Sequence, residues 1–536
     1  MKFCKKIIAV AVAAASLMSM TACMTVNQGE YDPNKQYLNI VYFNGGVVPD
    51  WLFVLEKEYE AQHENKVDIL INTDEKDQLR DSTLYSMISF RTEEIFFTHT
   101  LNYKNYAASG KIVDISDIVT NPAAEGEKSI EERMDPNLRK HYEYEEDTYY
   151  AVPFYDNFYG AVYDVDLFEN KRLYIAKDGG YTSGLDGAPE KSYGRDGVPE
   201  TSDDGLPATF TEYKEWLNYM TYTANVTPYV WCASDDAYRI DYLSSLWAGY
   251  EGVNDYMLQN NFTGTDSEGN KITPENADEY LLDDTGKKFA LEMCYEIISH
   301  SAYYDNDSMR GVMSHLDAQE RFLRSSADNK PIAMILEGGW WEKEALDVFE
   351  SMSRGNPDSP YAYGNRRFAY MPVPLYDDDA TKTPTYYSSS GTTTAIINSN
   401  GQNIDLAKDF LKFTLSEHAM SVFTQYTGIV RPYEYELEEG AYESLSPFAQ
   451  SFWDLYNEED VQIAYAGTES CDFKRASSTY FASWFFGTRV GGTNYSDPYI
   501  AFMNHPNMTA QQYFEGCKTR FSDYDSQYNQ WQSSLG

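Results

Sequence analysis

The stretch MILEGGWWEKEA, residues 334–345, joins an apolar run to two glycines and two adjacent tryptophans. Successive side chains point to opposite faces of a strand and lie about a quarter-turn apart in a helix. At least one of Trp340 and Trp341 is therefore hard to bury, and an exposed indole is a flat apolar platform for a ring-shaped ligand. Glu337, just before the glycines, is a further ligand-binding candidate. The alternative interpretation has one indole under the sheet and the other capping a helix.

Polar residues also follow other strand-like runs. Asn44 stands beside Gly45 and Gly46 after YLNIVYF, and Thr98 and His99 close the run EIFFT. Ligands of open α/β sheets bind outside the carboxyl ends of the strands, so these side chains are expected on a binding rim. No spacing of His, Cys or carboxylates supports His99 as a metal ligand.

A third group lies in and after the aromatic run TYYAVPFYDNFYGAVYDVDLF, residues 148–168. Its polar members, Asp156 and Asn157, could bind hydroxyl groups or form an ordinary turn. The chain has 47 tyrosines, so most of its aromatic residues must be structural. Weaker candidates for ligand contact are Tyr155, Trp247, Tyr250, Ser388 and Ser389, with Ser390 beside them.

A Gly- and Pro-rich stretch at 177–207 repeats DGAPE (186–190) as DGVPE (196–200), and this density of turn residues predicts a loop. Asp186, Asp196, Asp203 and Asp204 supply the hard oxygens that Ca²⁺ prefers. No EF-hand pattern is present. The sequence therefore leaves a plain acidic loop or a structural Ca²⁺ site open, and it predicts no other cofactor.

The elements that must position these residues alternate between strand and helix. Strands are predicted at 37–43, 66–72 and 94–98, with helices from Asp50 and around 79–87 between them. Further helices are predicted at 211–223, 284–299 and 404–424. Three more strands are predicted at KPIAMIL, FAYMPVPL and TTTAIINS. This order indicates an α/β fold with parallel sheets covered by helices.

Size and composition exclude several classes of protein. With 536 residues the chain exceeds one ordinary core, so two or more domains are expected. A formal charge of −42 argues against nucleic acids and anionic membrane surfaces as ligands. No G-x-S-x-G, H-E-x-x-H or P-loop pattern is present. Cys232, Cys294, Cys471 and Cys517 show no metal-finger spacing, and no disulfide is predicted among them.

The N-terminus has the pattern of a targeting segment. Lysines precede the apolar run IIAVAVAAASLMSM, which is shorter than the roughly 20 residues of a membrane span. Because Cys23 directly follows Thr21-Ala22, the segment resembles a bacterial lipoprotein signal peptide over residues 1–22, with Met20 in place of the usual Leu. That resemblance implies a lipidated (palmitate-bearing) Cys23, a tether at 23–36 and a location at the extracellular face of the cytoplasmic membrane.

Several segments, in order, resemble the extracellular solute-binding proteins of ABC importers, family 1, the carbohydrate-binding group. They are EEIFFTHTLNYKNYAASGKIVDISDIV, YYAVPFYDNFYGAVYDVDLFE, DDGLPATFTEYKEWL, NKPIAMILEGGWWEKEA, FAYMPVPL and IDLAKDFLKFTLSEHAMSVFTQYTGIVRP. Together they span nearly the whole chain after the signal peptide. The resemblance implies a two-lobed periplasmic-binding-protein-like fold (type II), with parallel-sheet lobes joined by a hinge.

Mapped onto this chain, that fold would place lobe 1 at 31–153 plus 389–432 and lobe 2 at 154–388 plus 433–536, with the 177–207 insertion in lobe 2. It implies a monomeric binding protein, not an enzyme, that captures a carbohydrate and delivers it to membrane permease subunits. Size and aromatic content favour more than one sugar ring. The indoles would stack on the sugar, and the polar groups above would bind its hydroxyls.

Two other functions remain open. The same fold could bind a peptide or polyamine and hold its cations in an acidic cleft. A surface glycoside hydrolase needs two carboxylates at a set separation, and 84 acidic residues do not exclude such a pair.

Overall fold

The computed structural model describes residues 32–43, 46–73, 81–98, 101–156, 158–278, 285–377, 384–388, 393–458, 461–465, 473, 486–519 and 523–535. The main strands are β1 Gln36–Tyr42, β2 Val67–Asn72, β3 Ile95–Thr98, β4 Ala151–Val152, β5 Tyr159–Asp164, β6 Thr227–Trp231, β7 Ile332–Gly338, β8 Phe368–Met371, β9 Thr385–Ser388, β10 Thr394–Ile397, β11 Gln462–Tyr465, β12 Thr488–Val490 and β13 Thr493–Tyr495.

The longer helices cover the sheets. They are α1 Asp50–Gln62, α2 Asp81–Met87, α3 Pro136–Tyr142, α4 Val165–Lys171, α5 Phe210–Tyr222, α6 Ala237–Glu251, α7 Val253–Asn261, α8 Thr285–Ser299, α9 His315–Arg324, α10 Leu346–Ser353, α11 Ile404–Phe413, α12 Glu417–Thr427, α13 Pro447–Tyr456, α14 Pro498–Asn504, α15 Ala510–Lys518 and α16 Tyr524–Leu535. None of the helices in the described ranges has both the length and the apolar character of a membrane span.

Two mixed sheets form the framework. The first has the order β2-β1-β3-β10-β4, with β1 parallel to β2 and β3, and β10 antiparallel to β3 and β4. The second has the order β6-β7-β5-β8, with β6 parallel to β7, and β5 antiparallel to β7 and β8. The predicted α/β class is confirmed, and both sheets contain the expected parallel pairs together with antiparallel ones. Each sheet contains a strand, β10 or β5, that runs against its neighbours.

Local sequence signals explain two further differences. The predicted helix at 404–424 is divided, because the Ser416 hydroxyl accepts the Ala419 N–H at 3.2 Å and starts α12 anew. The strand-like run ending at 168 turns into α4, because the Asp164 carboxylate accepts the Leu167 N–H at 3.0 Å. Both side chains satisfy backbone donors that a helix start leaves free.

Part of the C-terminal segment (residues 486–519 and 523–535 of the described chain) packs beside the second sheet. The side chain of Arg239 on α6 donates to Asp497 just before α14, with 2.8 Å between Nε and Oδ2. Tyr499 contacts Trp231 at the end of β6, with 5.4 Å between ring centroids. Both members of the ion pair are almost fully buried, so this part of the chain is packed firmly against the body that carries the second sheet.

Candidate functional site

Trp340 lies where the edges of the two sheets face each other. It follows β7 of the second sheet, and its partly buried indole meets Tyr159 of β5 edge-on, at 4.9 Å between centroids and 88° between planes. Gly46, in the loop after β1 of the first sheet, is so near that a Cβ there would lie 3.1 Å from the indole Cδ1. One indole therefore contacts backbone from both sheets.

Glycine is required on both sides of this ring. A Cβ at Gly338 would lie 2.7 Å from the six-membered ring of Trp340, closer than real contacts allow. Gly46 has φ +89°, a left-handed conformation that residues with a side chain rarely adopt. A side chain at Gly338 would require the indole to shift, and one at Gly46 would strain the backbone.

Two tyrosines extend the aromatic surface. Tyr238, in the first turn of α6, lies 5.1 Å from Tyr159, and Tyr159 in turn contacts Trp340. Helix α6 packs on β5 and β7 and so holds Tyr238 at the same edge of the sheet. The result is a continuous aromatic edge made by Trp340, Tyr159 and Tyr238.

An amide joins two carboxyl groups beneath Trp340. The Gln319 side chain donates to Glu337 at 3.2 Å and to Glu344 at 2.9 Å. Burial, together with the charge of Glu344, raises the pKa of Glu337 well above its usual range.

A further acidic group lies one turn along α6 from Tyr238. Burial raises the pKa of Asp241 to about 8, and the negative charges of Asp235 and Asp236 add to the effect. The Asp241 charge is also among the causes, after burial, that hold the pKa of Tyr159 well above its usual range. At pH 7 Asp241 is mainly neutral, and its carboxyl group can donate one hydrogen bond as well as accept.

The structure contradicts the assignment of Trp341 as a stacking platform. Its side chain is 0 % exposed and is enclosed by phenylalanine rings at 4.8–6.1 Å between centroids. Residue 341 begins the short helix Trp341–Glu344, which turns this indole into the core. The alternative interpretation of one buried indole is correct for this residue.

Asp156 and Ser388 also differ from their expected role. Both are fully buried, and the Ser388 hydroxyl donates to the Asp156 carboxylate at 2.6 Å. Tyr456 and Tyr465 donate to the other Asp156 oxygen at 2.9 and 2.7 Å. Asp156 therefore joins β9, α13 and β11 and does not face a ligand in this structure.

Four more candidates are structural, and a fifth contributes to the wall of the site. Thr98 is buried and donates to the Thr394 carbonyl at 2.9 Å. Tyr155 is buried against Phe154 at 4.8 Å. Trp247 is buried against Tyr256 at 5.1 Å.

Tyr250 packs on Tyr376 at 4.8 Å and, at 1.5 Å per residue, lies about 18 Å along α6 from Tyr238. Glu337 is 1 % exposed and accepts a hydrogen bond from Gln319.

The remaining candidates are outside the described residues or dispersed. Asn44, His99, Asn157 and Ser389 lie outside the described residues, and so do Cys23, Cys471 and Ser390. In the described part of the chain no three His, Cys, Asp or Glu residues gather as a metal site.

Hydrogen bonds within the acidic loop engage the carboxylates of Asp203 and Asp204. Buried Asp203 accepts from the Asp196 N–H at 3.1 Å and from the Thr201 hydroxyl at 2.8 Å. Asp204 accepts from the Glu200 N–H at 2.8 Å, and Asp186 is exposed. The four aspartates therefore form no ligand set for Ca²⁺ in this structure. Cys232 and Cys294 are buried free thiols, and Cys517 is buried.

Sequence reasoning missed Tyr159, Tyr238, Asp241, Gln319 and Glu344. The two tyrosines carry no signal that separates them from 45 others, and α6 shows no polar pattern that marks Asp241. Glu344 was inside the Gly-Gly-Trp-Trp stretch and could have been found there. Gln319 is brought to the site only by the packing of α9 on β7.

The arrangement is suited to binding a flat, hydroxylated ligand. The aromatic edge can cover apolar C–H faces, and neutral and ionised carboxyl groups beside it can donate and accept hydrogen bonds.

Comparison with known proteins identifies the fold. No protein-family model and no curated protein matches the chain. Among solved structures, apo RafE from Streptococcus pneumoniae aligns with a TM-score of 0.54 and 13% identity over 93% of this chain and 100% of its own. RafE in complex with raffinose aligns with a TM-score of 0.54 and 13% identity over 91% of this chain and 99% of its own. A chitin oligosaccharide binding protein aligns with a TM-score of 0.52 and 13% identity over 92% of this chain and 100% of its own. The chain has the fold of these sugar-binding solute-binding proteins.

Proposed function

We propose that this protein is a receptor that captures an oligosaccharide and delivers it to the permease of an ABC importer. The observation that carries the proposal is the position of Trp340, a partly buried indole that contacts backbone from both sheets at their facing edges. The fold shared with the raffinose and chitin oligosaccharide binding proteins supports it.

In this proposal the sugar stacks against Trp340 and is aligned by the edges of Tyr159 and Tyr238. Asp241 donates to and accepts from sugar hydroxyls, while Gln319 and Glu337 hold Glu344 in place behind the platform. No bond is made or broken, so no reaction is assigned. Affinity comes from stacking and hydrogen bonds in a site closed from water.

The proposed division of the chain is that of the sequence mapping, with lobe 1 at 31–153 plus 389–432 and lobe 2 at 154–388 plus 433–536. The first sheet lies wholly within the former ranges and the second within the latter. Ligand binding favours the closed arrangement of the lobes, and the permease recognises that arrangement.

The proposed location follows from the N-terminal sequence alone. Residues 1–22 act as a signal peptide, Cys23 is lipidated, and the protein is held at the extracellular face of the cytoplasmic membrane. Mass spectrometry of the membrane-extracted protein should show a lipid on Cys23, and Cys23→Ala should release the protein to the medium.

One observation favours a cationic ligand as the second candidate. Asp235 and Asp236 lie beside Asp241, and no basic side chain is among the groups that shift its pKa. A peptide or polyamine in the same cleft would exploit that uncompensated charge. Its affinity would fall steeply with salt, whereas that of a neutral sugar would change little.

The proposal is tested by screening mono- and oligosaccharides for thermal stabilisation, followed by calorimetric titration of the hits. Trp340→Ala should weaken binding at least about tenfold, roughly 1.4 kcal/mol, without changing the unfolding temperature. Trp531→Ala, which removes another partly buried indole, is the matched control. Equal affinity of Trp340→Ala and wild type would refute the stacking role. Shortened glycan products would indicate a hydrolase instead.

A further inference from the structure

A cavity of about 480 Å³ lies beside the aromatic edge, between the second sheet and the C-terminal segment. One wall is the loop after β6, with Ser234 and Asp236, and the opposite wall is the end of β13 and the residues after it, with Asn494, Tyr495 and Ser496. The cavity is therefore made jointly by the body of the second sheet and by residues from the end of the chain.

Its position follows from strand direction. Strands β6 and β7 are parallel, with Trp231 paired with Leu336, so the loops after both strands emerge at the same edge of the sheet. The loop after β7 carries Trp340, and the loop after β6 carries one wall of the cavity. Tyr238 lies in sequence between the lining residues Asp236 and Arg239, and its ring contacts Tyr159, which in turn contacts Trp340.

Hydrogen bonds hold the base of the cavity together. Arg239 donates to the Asp497 carboxylate from Nε and Nη2, at 2.8 and 2.5 Å, and to the carbonyls of Cys232 and Asp235 from Nη1, at 3.0 and 3.1 Å. Asp497 also accepts the Tyr499 N–H at 2.8 Å and so fixes the start of α14. The guanidinium is engaged in holding the two walls together.

The walls are polar, and most of their side chains face solvent. Ser234, Asp236, Asn494 and Ser496 are exposed, and together they offer hydroxyl, amide and carboxylate groups beside the partly buried ring of Tyr495. Asp497 balances the charge of Arg239. The remaining carboxylate, Asp236, can accept hydrogen bonds from hydroxyl groups, so the set can bind a polyhydroxylated unit with one apolar face.

We infer that this cavity is an outer subsite, built by the C-terminal segment, that binds sugar units beyond the one stacked on Trp340. The inference rests on the proposed function and adds that the ligand is a chain long enough to reach from Trp340 past Tyr238 to Asn494. Affinity should therefore depend on chain length, and that dependence should reside in the cavity walls.

The test is calorimetric titration with xylo-, malto- and chito-oligosaccharides from disaccharide to hexasaccharide, continued with the series that binds wild type. The variant Asn494→Ala with Ser496→Ala should bind the longest chain at least about tenfold more weakly and the disaccharide within about twofold of wild type. Unfolding temperature checks that the variant folds, and Asp236→Ala on the opposite wall provides a second, independent variant.

A second cavity on the same segment provides the control. It has a volume of about 620 Å³ and is lined by Arg489, Asn504 and Asn507 on the other side of the β12–β13 hairpin. Asn504→Ala with Asn507→Ala should leave affinity unchanged at every chain length.

The possible failures are distinguishable. If wild type binds glycans but both wall variants keep its length profile, or lose disaccharide and hexasaccharide affinity equally, the subsite is refuted while the receptor function stands. If wild type binds none of the glycans, the proposed function and the subsite are both refuted.

Discussion

Trp340 and Trp341 are adjacent in the chain, yet one lies between two glycines at the meeting of the sheets and the other is enclosed by phenylalanines. The difference follows from the turn at Gly338-Gly339, after which a short helix points the second indole back under the sheet. The two residues should therefore fail in different ways when truncated.

We expect Trp341→Ala to lower the free energy of unfolding by about 3–5 kcal/mol, because it leaves a large cavity among aromatic rings. Trp340→Ala should leave the free energy of unfolding almost unchanged. Urea denaturation followed by tryptophan fluorescence and circular dichroism measures both. Similar destabilisation by the two variants would contradict the contrast.

Asp241 gives a pH dependence whose sign can be stated. Its pKa in the folded chain is about 8, against about 3.9 when unfolded, so between these values the folded state binds more protons. Its contribution to stability is therefore favourable below about pH 4 and is lost as pH rises to about 8. Asp241→Asn should gain stability relative to wild type across that window, as measured by urea titrations at several pH values. A constant difference would show that Asp241 titrates normally.

At this scale the sequence predicted a platform at residues 340–341 and the glycines beside it, because strand endings and paired indoles are local signals. It did not predict which indole is exposed. Asp156 shows where the sequence was misleading. Its position between aromatic residues suggested a ligand contact, but three hydroxyl groups from distant segments donate to its carboxylate instead. Local pattern cannot reveal partners that tertiary packing supplies.

The placement of helices and strands determines the geometry of the site. Helix α6 carries Tyr238, Arg239 and Asp241 within its first two turns, so its position relative to β5 and β7 sets the aromatic edge, the outer cavity and the acidic group together. The ion pair of Arg239 with Asp497 ties that helix to the C-terminal segment.

The ion pair should show strong coupling. Arg239→Met leaves the Asp497 carboxylate buried without its partner, and Asp497→Leu does the same to the guanidinium, so each should cost about 3–5 kcal/mol. The double variant should cost less than the sum, by at least about 1 kcal/mol, in a double-mutant cycle of urea denaturation. Additive effects would show that the pair does not act as a unit.

Two glycines provide a matched test of packing between elements. A Cβ at Gly160 on β5 would lie 2.1 Å from the Tyr370 hydroxyl, whereas a Cβ at Gly249 on α6 would make ordinary contact at 3.6 Å. Gly160→Ala should therefore destabilise by about 1–3 kcal/mol, and Gly249→Ala should stabilise by about 0.5–1 kcal/mol through helix propensity. Unfolding temperatures with opposite shifts are the expected result.

At the scale of the whole molecule, the acidity of the chain does not require a charged ligand. If the ligand is a neutral glycan, its dissociation constant should change by no more than about twofold between low salt and 1 M salt. A polyamine or basic peptide would lose far more. Titration at several salt concentrations therefore separates the two ligand classes while the site remains the same.

The overall class of the fold was predictable because alternating strands and helices in the first hundred residues leave few topologies. The antiparallel direction of β5 and β10 was not predictable. A strand's direction depends on where the chain enters the sheet, and the residues of the strand itself do not indicate it. The role of residues 486–535 was likewise hidden, since their aromatic residues show no clear period.

The first sheet is completed only by β10, and Thr98 on β3 bonds to Thr394 across a separation of 296 positions. The ribosome must therefore synthesise most of the polypeptide before the first sheet can form completely. Until then, the edge of β3 that pairs with β10 lacks its partner strand. Such non-local pairing slows folding and leaves a nascent chain open to aggregation. A fragment ending before residue 394 should bind general chaperones persistently and resist purification as a monomer.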